Sequence, residues 1–467
     1  MSSLDTRVPA LLLRLDRNPF HHGSLGAIRS LGRAGIEVHA FVEPAGGPIA
    51  RSRHLAAGHH FRGDPTSLTD VAEALRLASA RIGRPAVLIP MDEASALAAA
   101  GLANRLAGSF LLPAPPPGVV RRVADKEQLA GLCAELGVPQ PPLVAPEGPA
   151  EAAAAVRALG LPAVAKWSRP WLLPPGGPLR STTLVNSEEE ARRLYEQGAG
   201  AGGRLLFQRL LPGGPGADWF FHGTFGAGGR LLFGGTGRKE LSWPPRAGLT
   251  AVGRWVPNAE VEETARLLAG RLGYHGVLDL DFRRDAATGE YHLLDFNPRP
   301  GAQFRLFTDL AGLDVVRALH LDLTGRPVGP PRPAPGRVLL VENYALLASL
   351  AARRARRPGG GRGREAEWAW LAADDPAPFF AMAAGLLGRA ANRGLGLPGI
   401  PPGAPAGGGR WRRAGGWRAA GEPGAGHRGC RDVPGRPGPG GETAAIQRRS
   451  QRRIRRRNGG GTAAERR

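Results

Sequence analysis

Leu278-Asp279-Leu280-Asp281-Phe282, a short turn, and His292-Leu293-Leu294-Asp295-Phe296-Asn297-Pro298-Arg299 form the stretch on which the reading of this chain rests. Both runs alternate apolar and polar residues with the period of a strand, and the turn between them makes a hairpin. Alternation puts Asp279 and Asp281 on one face of the first strand, and Asp295, Asn297 and Arg299 on one face of the second. If the strands pair, the two rows converge on an oxygen-rich nest suited to a hard cation. An exposed polar face on an ordinary hairpin carries the same pattern, so the rest of the chain has to weigh the two.

Lysine usage is the second signal. Of 62 lysines and arginines, only Lys126, Lys166 and Lys239 are lysine. Where arginine serves almost everywhere, a lysine marks a place that needs a compact ammonium instead of a planar guanidinium, although three residues can also fall together by chance. Lys166 closes the apolar run 162–165, which reads as a buried strand. Lys126 opens a helix capped by Asp125. Both positions suit contact with phosphate oxygens.

A length of 467 residues allows roughly three domains. Two cysteines, Cys133 and Cys430, cannot build a disulfide framework or a cysteine metal site. Residues 1–8 hold no basic segment followed by a long apolar stretch, and no window of about 20 residues is free of charges or helix breakers. The expectation is a cytoplasmic protein with no membrane partner. The net charge of +22 raises nucleic acid as a partner, but the charge is unevenly placed. Residues 394–467 hold 16 arginines against four acidic residues, and 28 of these 74 positions are Gly or Pro. This exceeds the level of about 25–30% that marks low-complexity chain, and the tail is expected to be disordered.

Residues 8–112 read as alternating strand and helix, the pattern of a parallel sheet with covering helices. Strands are expected at 10–15, 37–42 and 85–90, and a helix at 25–34. The turn His21-His22-Gly23-Ser24 reads either as an anion-holding helix start or as a simple turn. Asp92-Glu93 follows a strand end, where open α/β sheets bind ligands, and also suits a helix cap. The Pro-rich run 112–118 looks like a boundary. Residues 169–183, rich in Gly, Ser and Thr, read either as a lid over a nucleotide or as a surface connector, ahead of a helix whose Ser187 and Glu190 form a capping box. Strands are expected at 204–211, 218–225, 231–233 and 337–342. Helices are expected at 259–272, at 315–323 behind Asp314, and at 376–391. This divides the chain into 1–118, 119–203, 204–330, 331–393 and the tail 394–467.

Taken together, these features resemble the ATP-grasp superfamily, and within it the bacterial ATP-dependent carboligases, or carboxylate-amine ligases, related to D-aspartate ligase. The resemblance runs from about residue 8 to about 393. It is carried by the stretch from His22 to Arg33, Ala124-Asp125-Lys126, Val164-Ala165-Lys166, Arg180-Ser181-Thr182-Thr183, Asp218-Trp219-Phe220-Phe221-His222-Gly223, Gly253-Arg254-Trp255 and the stretch from Leu278 to Phe307. It implies a mixed α/β and α+β chain, in which a Rossmann-like parallel-sheet domain precedes an ATP-grasp fold with ATP between its two halves. Lys126 and Lys166 would contact phosphates, with Ser181 and Thr182 in the covering loop. The backbone at Arg209, Leu210 and Leu211 would meet the adenine edge. Gln208 stands where the superfamily often has Glu, and Asp218 is a ribose-side candidate.

The resemblance also implies Mg2+ or Mn2+ on Asp281, Asp295 and Asn297, with Asp279 a second candidate; the family commonly has Glu where this chain has Asp295. Lys166 and Arg299 would act on the transferring phosphoryl group, although Arg299 can equally brace the structure through Asp295. His22, Asp92, His222 and Lys239 are candidates for the substrate pocket. The implied activity is ligation of a small carboxylate and an amine through an acyl phosphate. Two other functions compete: a kinase that stops after phosphorylation, and a basic protein whose arginine tail binds nucleic acid non-specifically. The tail's abrupt change of composition also suits a reading-frame error.

Overall fold

In the computed structural model, which describes residues 3–16, 18–43, 47–174, 177–214, 216–243, 248–345 and 366–394, the chain begins with a five-stranded parallel sheet. Its strands are β1 (Ala10–Leu13), β2 (Val38–Phe41), β3 (Ala57–His59), β4 (Ala86–Pro90) and β5 (Phe110–Leu111), in the order β3-β2-β1-β4-β5. β1 is apolar and buried at every position, because helices cover both faces of the sheet. α1 (His22–Arg33) packs on one side, while α2 (Leu68–Ile82) and α3 (Glu93–Gly101) pack on the other.

α1 starts three residues earlier than the sequence predicts, because His21 serves as its cap and accepts the Ser24 N–H at 3.1 Å. Its glycines, which resemble turn signals, sit where backbone and side chains approach closely. A Cβ on Gly23 would lie 2.8 Å from the Ala302 Cα, and one on Gly26 would lie 2.8 Å from the Arg305 Cγ. The segment after the hairpin thus packs against the glycine face of this helix.

A second sheet follows α4 (Ala103–Leu106), α5 (Val119–Ala124) and α6 (Lys126–Leu136). It contains β6 (Leu143–Val144), β7 (Ala163–Trp167), β8 (Thr182–Val185) and β9 (Leu205–Arg209) in the antiparallel order β6-β9-β7-β8. Ala163, Ala165 and Trp167 face α7 (Pro149–Leu159) and α8 (Glu188–Gln197), where they form a separate small core. The intervening residues, Val164 and Lys166, face the other way. Only half of the expected capping box forms. Ser187 accepts the Glu190 N–H at 3.1 Å, whereas the Glu190 carboxylate accepts the N–H of Asn186 at 2.7 Å.

The third sheet has the order β14-β13-β10-β11-β12-β15-β16. Its strands are β10 (Asp218–Gly226), β11 (Arg230–Trp243), β12 (Leu249–Trp255), β13 (Gly276–Arg284), β14 (Tyr291–Asn297), β15 (Val338–Leu340) and β16 (Ala366–Trp368). The short strand expected at 231–233 is the start of β11, which is 14 residues long. Its glycines conceal it in the sequence, and they are there for the rings beneath. A Cβ on Gly235 would come within 2.6 Å of Phe307, and one on Gly237 within 2.5 Å of Phe220.

α9 (Ala259–Leu272) and α10 (Val315–Leu323) have the limits the sequence predicts, and Asp314 caps α10 by accepting the Val316 and Arg317 N–H groups. α11 (Ala377–Gly394) is the last described element. Most of the Gly, Pro and Arg tail therefore lies outside the described residues, as do residues 175 and 176 of the 169–183 loop. Among the described residues no helix is long and apolar enough to cross a membrane.

Candidate active site

The hairpin pairs in the register that alternation requires. Asp281 stands opposite Asp295 and Asp279 opposite Asn297, so all four side chains share one face of the third sheet. The other face carries Leu278, Leu280, Phe282, Leu293 and Phe296, all buried in the core beneath α9. A slip of one residue would exchange the two faces and push carboxylates into that core, which is what locks the register.

The two upstream lysines meet at the hairpin from different elements. Lys126 Nζ lies 2.8 Å from Asp295 Oδ1, and Lys166 Nζ lies 3.5 Å from Asp295 Oδ2. Lys166 also donates to the Leu294 carbonyl at 3.0 Å. Backbone contacts set this convergence. The Lys126 N–H donates to the Ser168 carbonyl at 2.9 Å, just past the end of β7, and Arg169 pairs with the capping Asp125 at 2.8 Å. The start of α6 and the end of β7 are thereby tied together, and their lysines project to one point.

Burial would raise the Asp295 carboxyl, but the Lys126 and Lys166 ammoniums outweigh it and hold it at about 2. Burial lowers Lys166, with Lys126 as a repelling neighbour, while the Lys126 ammonium is raised because Asp295 and Glu93 together overcome its own burial. Lys239 sits 2.8 Å from Asp281. Against the lowering effect of burial, Asp281, Asp218 and Asp279 raise its ammonium.

Asp279 has a different position from the other two acids. His222 Nε2 is 3.1 Å from its Oδ1, and Arg299 Nη1 is 2.9 Å from its Oδ2. The Asn297 amide lies 3.4 Å from the same Oδ2. Burial would raise this carboxyl, yet His222, Arg299 and Lys239 pull it well below the usual carboxylate range. A Cβ on Gly301 would run into the His222 ring and fall 2.6 Å from Asp279 Oδ2, so the chain after Arg299 seals the pair from above. Asp279 acts as the counterion that holds Arg299. This corrects the expectation that Arg299 braces through Asp295.

The remaining candidates distribute as follows. His222 stands opposite Asp279 on the same sheet face and is fully buried among Phe220, Phe307 and Asp279. His22 is buried edge-on to Tyr344, and burial lowers it to about 3. The Asp92 carboxylate is taken by the N–H groups of Leu15, Asp16 and Ser95, at 2.6, 3.0 and 2.7 Å, so it closes the β1/β4 switch point and caps α3. His222 and Asp92 are thus engaged by protein groups, and His22 is buried against Tyr344. Glu93, the next residue, comes within 3.9 Å of Lys126. The signal that could have found it is Ser95, whose spacing from Asp92 marks the cap and leaves Glu93 free.

Thr182 stands opposite Lys166 on β8, and Ser181 is exposed just before it. Gln208 is buried on β9, opposite Val164 on the Lys166 face. The Arg209 N–H is taken by the Pro142 carbonyl and the Leu211 carbonyl by Arg283. Among the described residues, no backbone partner is found for the N–H groups of Leu210 and Leu211. Asp218 pairs with Arg283 at 2.7 Å, which gives the proposed ribose contact a competing partner.

Among the described residues no three His, Cys, Asp or Glu side chains form a metal cage. Asp281, Asp295 and Asn297 offer two carboxylates and one amide on adjoining strands. That donor set fits Mg2+, which usually takes one or two carboxylates and completes its shell with phosphate oxygens and water.

No protein-family model matches the chain, and no curated protein matches it in sequence. Solved structures do match. The N5-carboxyaminoimidazole synthetase of Staphylococcus aureus aligns over 72% of this chain and 82% of its own, with 14% identity and a TM-score of 0.52. The biotin carboxylase of Campylobacter jejuni, solved as a β-γ-ATP complex, aligns over 69% of this chain and 72% of its own, with 15% identity and a TM-score of 0.52. The biotin carboxylase domain of the Hydrogenobacter thermophilus 2-oxoglutarate carboxylase, in complex with MgADP, ADP and bicarbonate, aligns over 69% and 71%, with 18% identity and a TM-score of 0.51. These are ATP-grasp enzymes, and the chain has the ATP-grasp fold behind a parallel-sheet domain.

Proposed function

We propose that this protein is an ATP-dependent carboxylate-amine ligase. The observation that carries the reading is the meeting of Lys126 and Lys166 at Asp295, 2.8 and 3.5 Å away, directly across the hairpin from Asp281. Two ammoniums beside a pair of carboxylates suit a polyphosphate and its counterion better than any purely structural need, since burying such a cluster is costly. ATP-grasp neighbours solved with ADP and Mg add support.

In the reaction, a substrate carboxylate oxygen attacks the γ-phosphorus of ATP, the bond to the β-γ bridging oxygen breaks, and ADP leaves. The amine nitrogen then attacks the acyl carbon of the resulting acyl phosphate. The carbon–oxygen bond breaks with its electron pair, inorganic phosphate leaves, and the amine loses a proton as the amide forms. Bringing two anions together is the main obstacle, and cations positioned in advance lower it. Lys126 and Lys166 hold phosphate oxygens, and Arg299, fixed by Asp279, offers its remaining nitrogens to the carboxylate or the transferring group. Mg2+ on Asp281, Asp295 and Asn297 would neutralise charge on the phosphates.

The test is an ADP-release screen over amino acids and small carboxylates with Mg2+, using the parent, Lys166→Ala and Asp295→Ala. Turnover by the parent and its loss in both folded variants is the expected result. ADP formed without an amide would replace the ligase with a kinase. Unchanged rates in a variant would remove that residue from the site.

A further inference from the structure

Beside Arg299 lies a cavity of about 920 Å3, within the size range of small-molecule sites. One wall is α3, through Ala94, Leu97 and Gly101, and another is the Pro-rich run, through Pro113 and Pro116. Trp171 and Leu172, from the loop after Lys166, complete the apolar lining. Arg121, Arg169 and Arg299 line it as well, and among the described residues no acidic side chain does.

The Pro-rich wall is held in place. The Ala114 N–H donates to His275 Nδ1 at 3.0 Å, and His275 Nε2 is 2.8 Å from Asp322. Gly276, at a φ of +126°, lets Pro113 approach to 3.2 Å from where a Cβ would stand. A wall fixed in advance loses little freedom when it covers a ligand. The cavity also adjoins the phosphate cluster: α3 turns Glu93 toward Lys126, 3.9 Å away, and Ala94 and Leu97 into the cavity. Arg299 spends its Nη1 on Asp279 and the Pro300 carbonyl, and among the described residues its Nε and Nη2 make no hydrogen bond. A guanidinium with a free edge fits a carboxylate.

We infer that this cavity receives the apolar body of a monocarboxylate substrate whose head group meets Arg299. The inference rests on the ligase reading for its chemistry, but binding can be measured without it. Straight-chain carboxylates from acetate to octanoate are titrated calorimetrically into the full-length protein without nucleotide, and ADP release is measured separately with Mg-ATP and a mixture of amino acids that supplies the amine. Affinity is expected to rise about fourfold for each methylene buried. Leu97→Trp and Trp171→Ala are both expected to flatten that rise, the first by filling the cavity and the second by removing a wall.

Affinity independent of chain length in the parent overturns the inference, and so does a rise that both variants retain. The two readings fail separately. A chain-length gain without ADP release leaves the cavity standing and removes the ligase. ADP release with a short carboxylate and no chain-length gain does the reverse.

Discussion

Asp295→Asn is the most informative single change, because it removes one charge and almost no volume from the point where two lysines meet. The carboxyl is lowered from 3.8 to about 2, which at 1.36 kcal/mol per tenfold corresponds to about 2 kcal/mol. Its side chain is 27% exposed, so only modest solvent screening is expected. A carboxyl held low in the folded state stabilises it fully above its unfolded value of 3.8, and that contribution disappears as the pH falls toward about 2. The Asn variant is therefore expected to be about 2 kcal/mol less stable than the parent at pH 7, with the difference narrowing below pH 4. Urea unfolding at a series of pH values measures this. ADP release should fall in parallel on the order of 10²–10³-fold, since a group facing the phosphates is lost. A variant as stable as the parent at pH 7, or one whose deficit persists unchanged at pH 3, would refute the coupling of Asp295 to Lys126 and Lys166.

Asp279→Asn strips His222 and Arg299 of their shared buried counterion and is expected to cost about 3–5 kcal/mol by thermal or urea unfolding. His222→Gln keeps a donor to Asp279 and should lower kcat more than it changes the KM for ATP, as a positioning residue would. Gly301→Ala drives a methyl group into His222 and Asp279, with an expected loss of about 1–3 kcal/mol and reduced turnover; turnover equal to the parent would show that the segment after Arg299 does not hold the pair. Deletion of residues 394–467 should leave ADP release intact while abolishing any salt-sensitive binding to nucleic acid, which filter binding at two salt concentrations would detect. An intact-mass measurement that includes the whole tail would remove the reading-frame explanation.

Much of the architecture was legible because its causes are local. Two-residue alternation in 278–282 and 292–299 defines both faces of the hairpin, and once the strands pair it leaves one register, Asp281 opposite Asp295. Caps reveal themselves in the same way, since Asp125 and Asp314 each precede a helix start by one residue. β11 was largely hidden, because Gly234, Gly235 and Gly237 carry no apolar signal and are needed for the rings of Phe220, Phe221 and Phe307.

The sequence by itself determined which residue types were available: three lysines, a row of acids on a short-period strand, and an arginine that follows them. Which cation meets which carboxylate was decided by the tertiary structure. Lys126 and Lys166 reach Asp295 because the start of α6 is bonded to the end of β7, and Arg299 reaches Asp279 because it lies beyond the last paired residue of β14. Asp92 was drawn into the backbone at the β1/β4 crevice by the N–H groups of Leu15 and Asp16, 77 and 76 residues away in the chain. Charges act through space over a few ångströms, so no spacing along the chain can assign such partners.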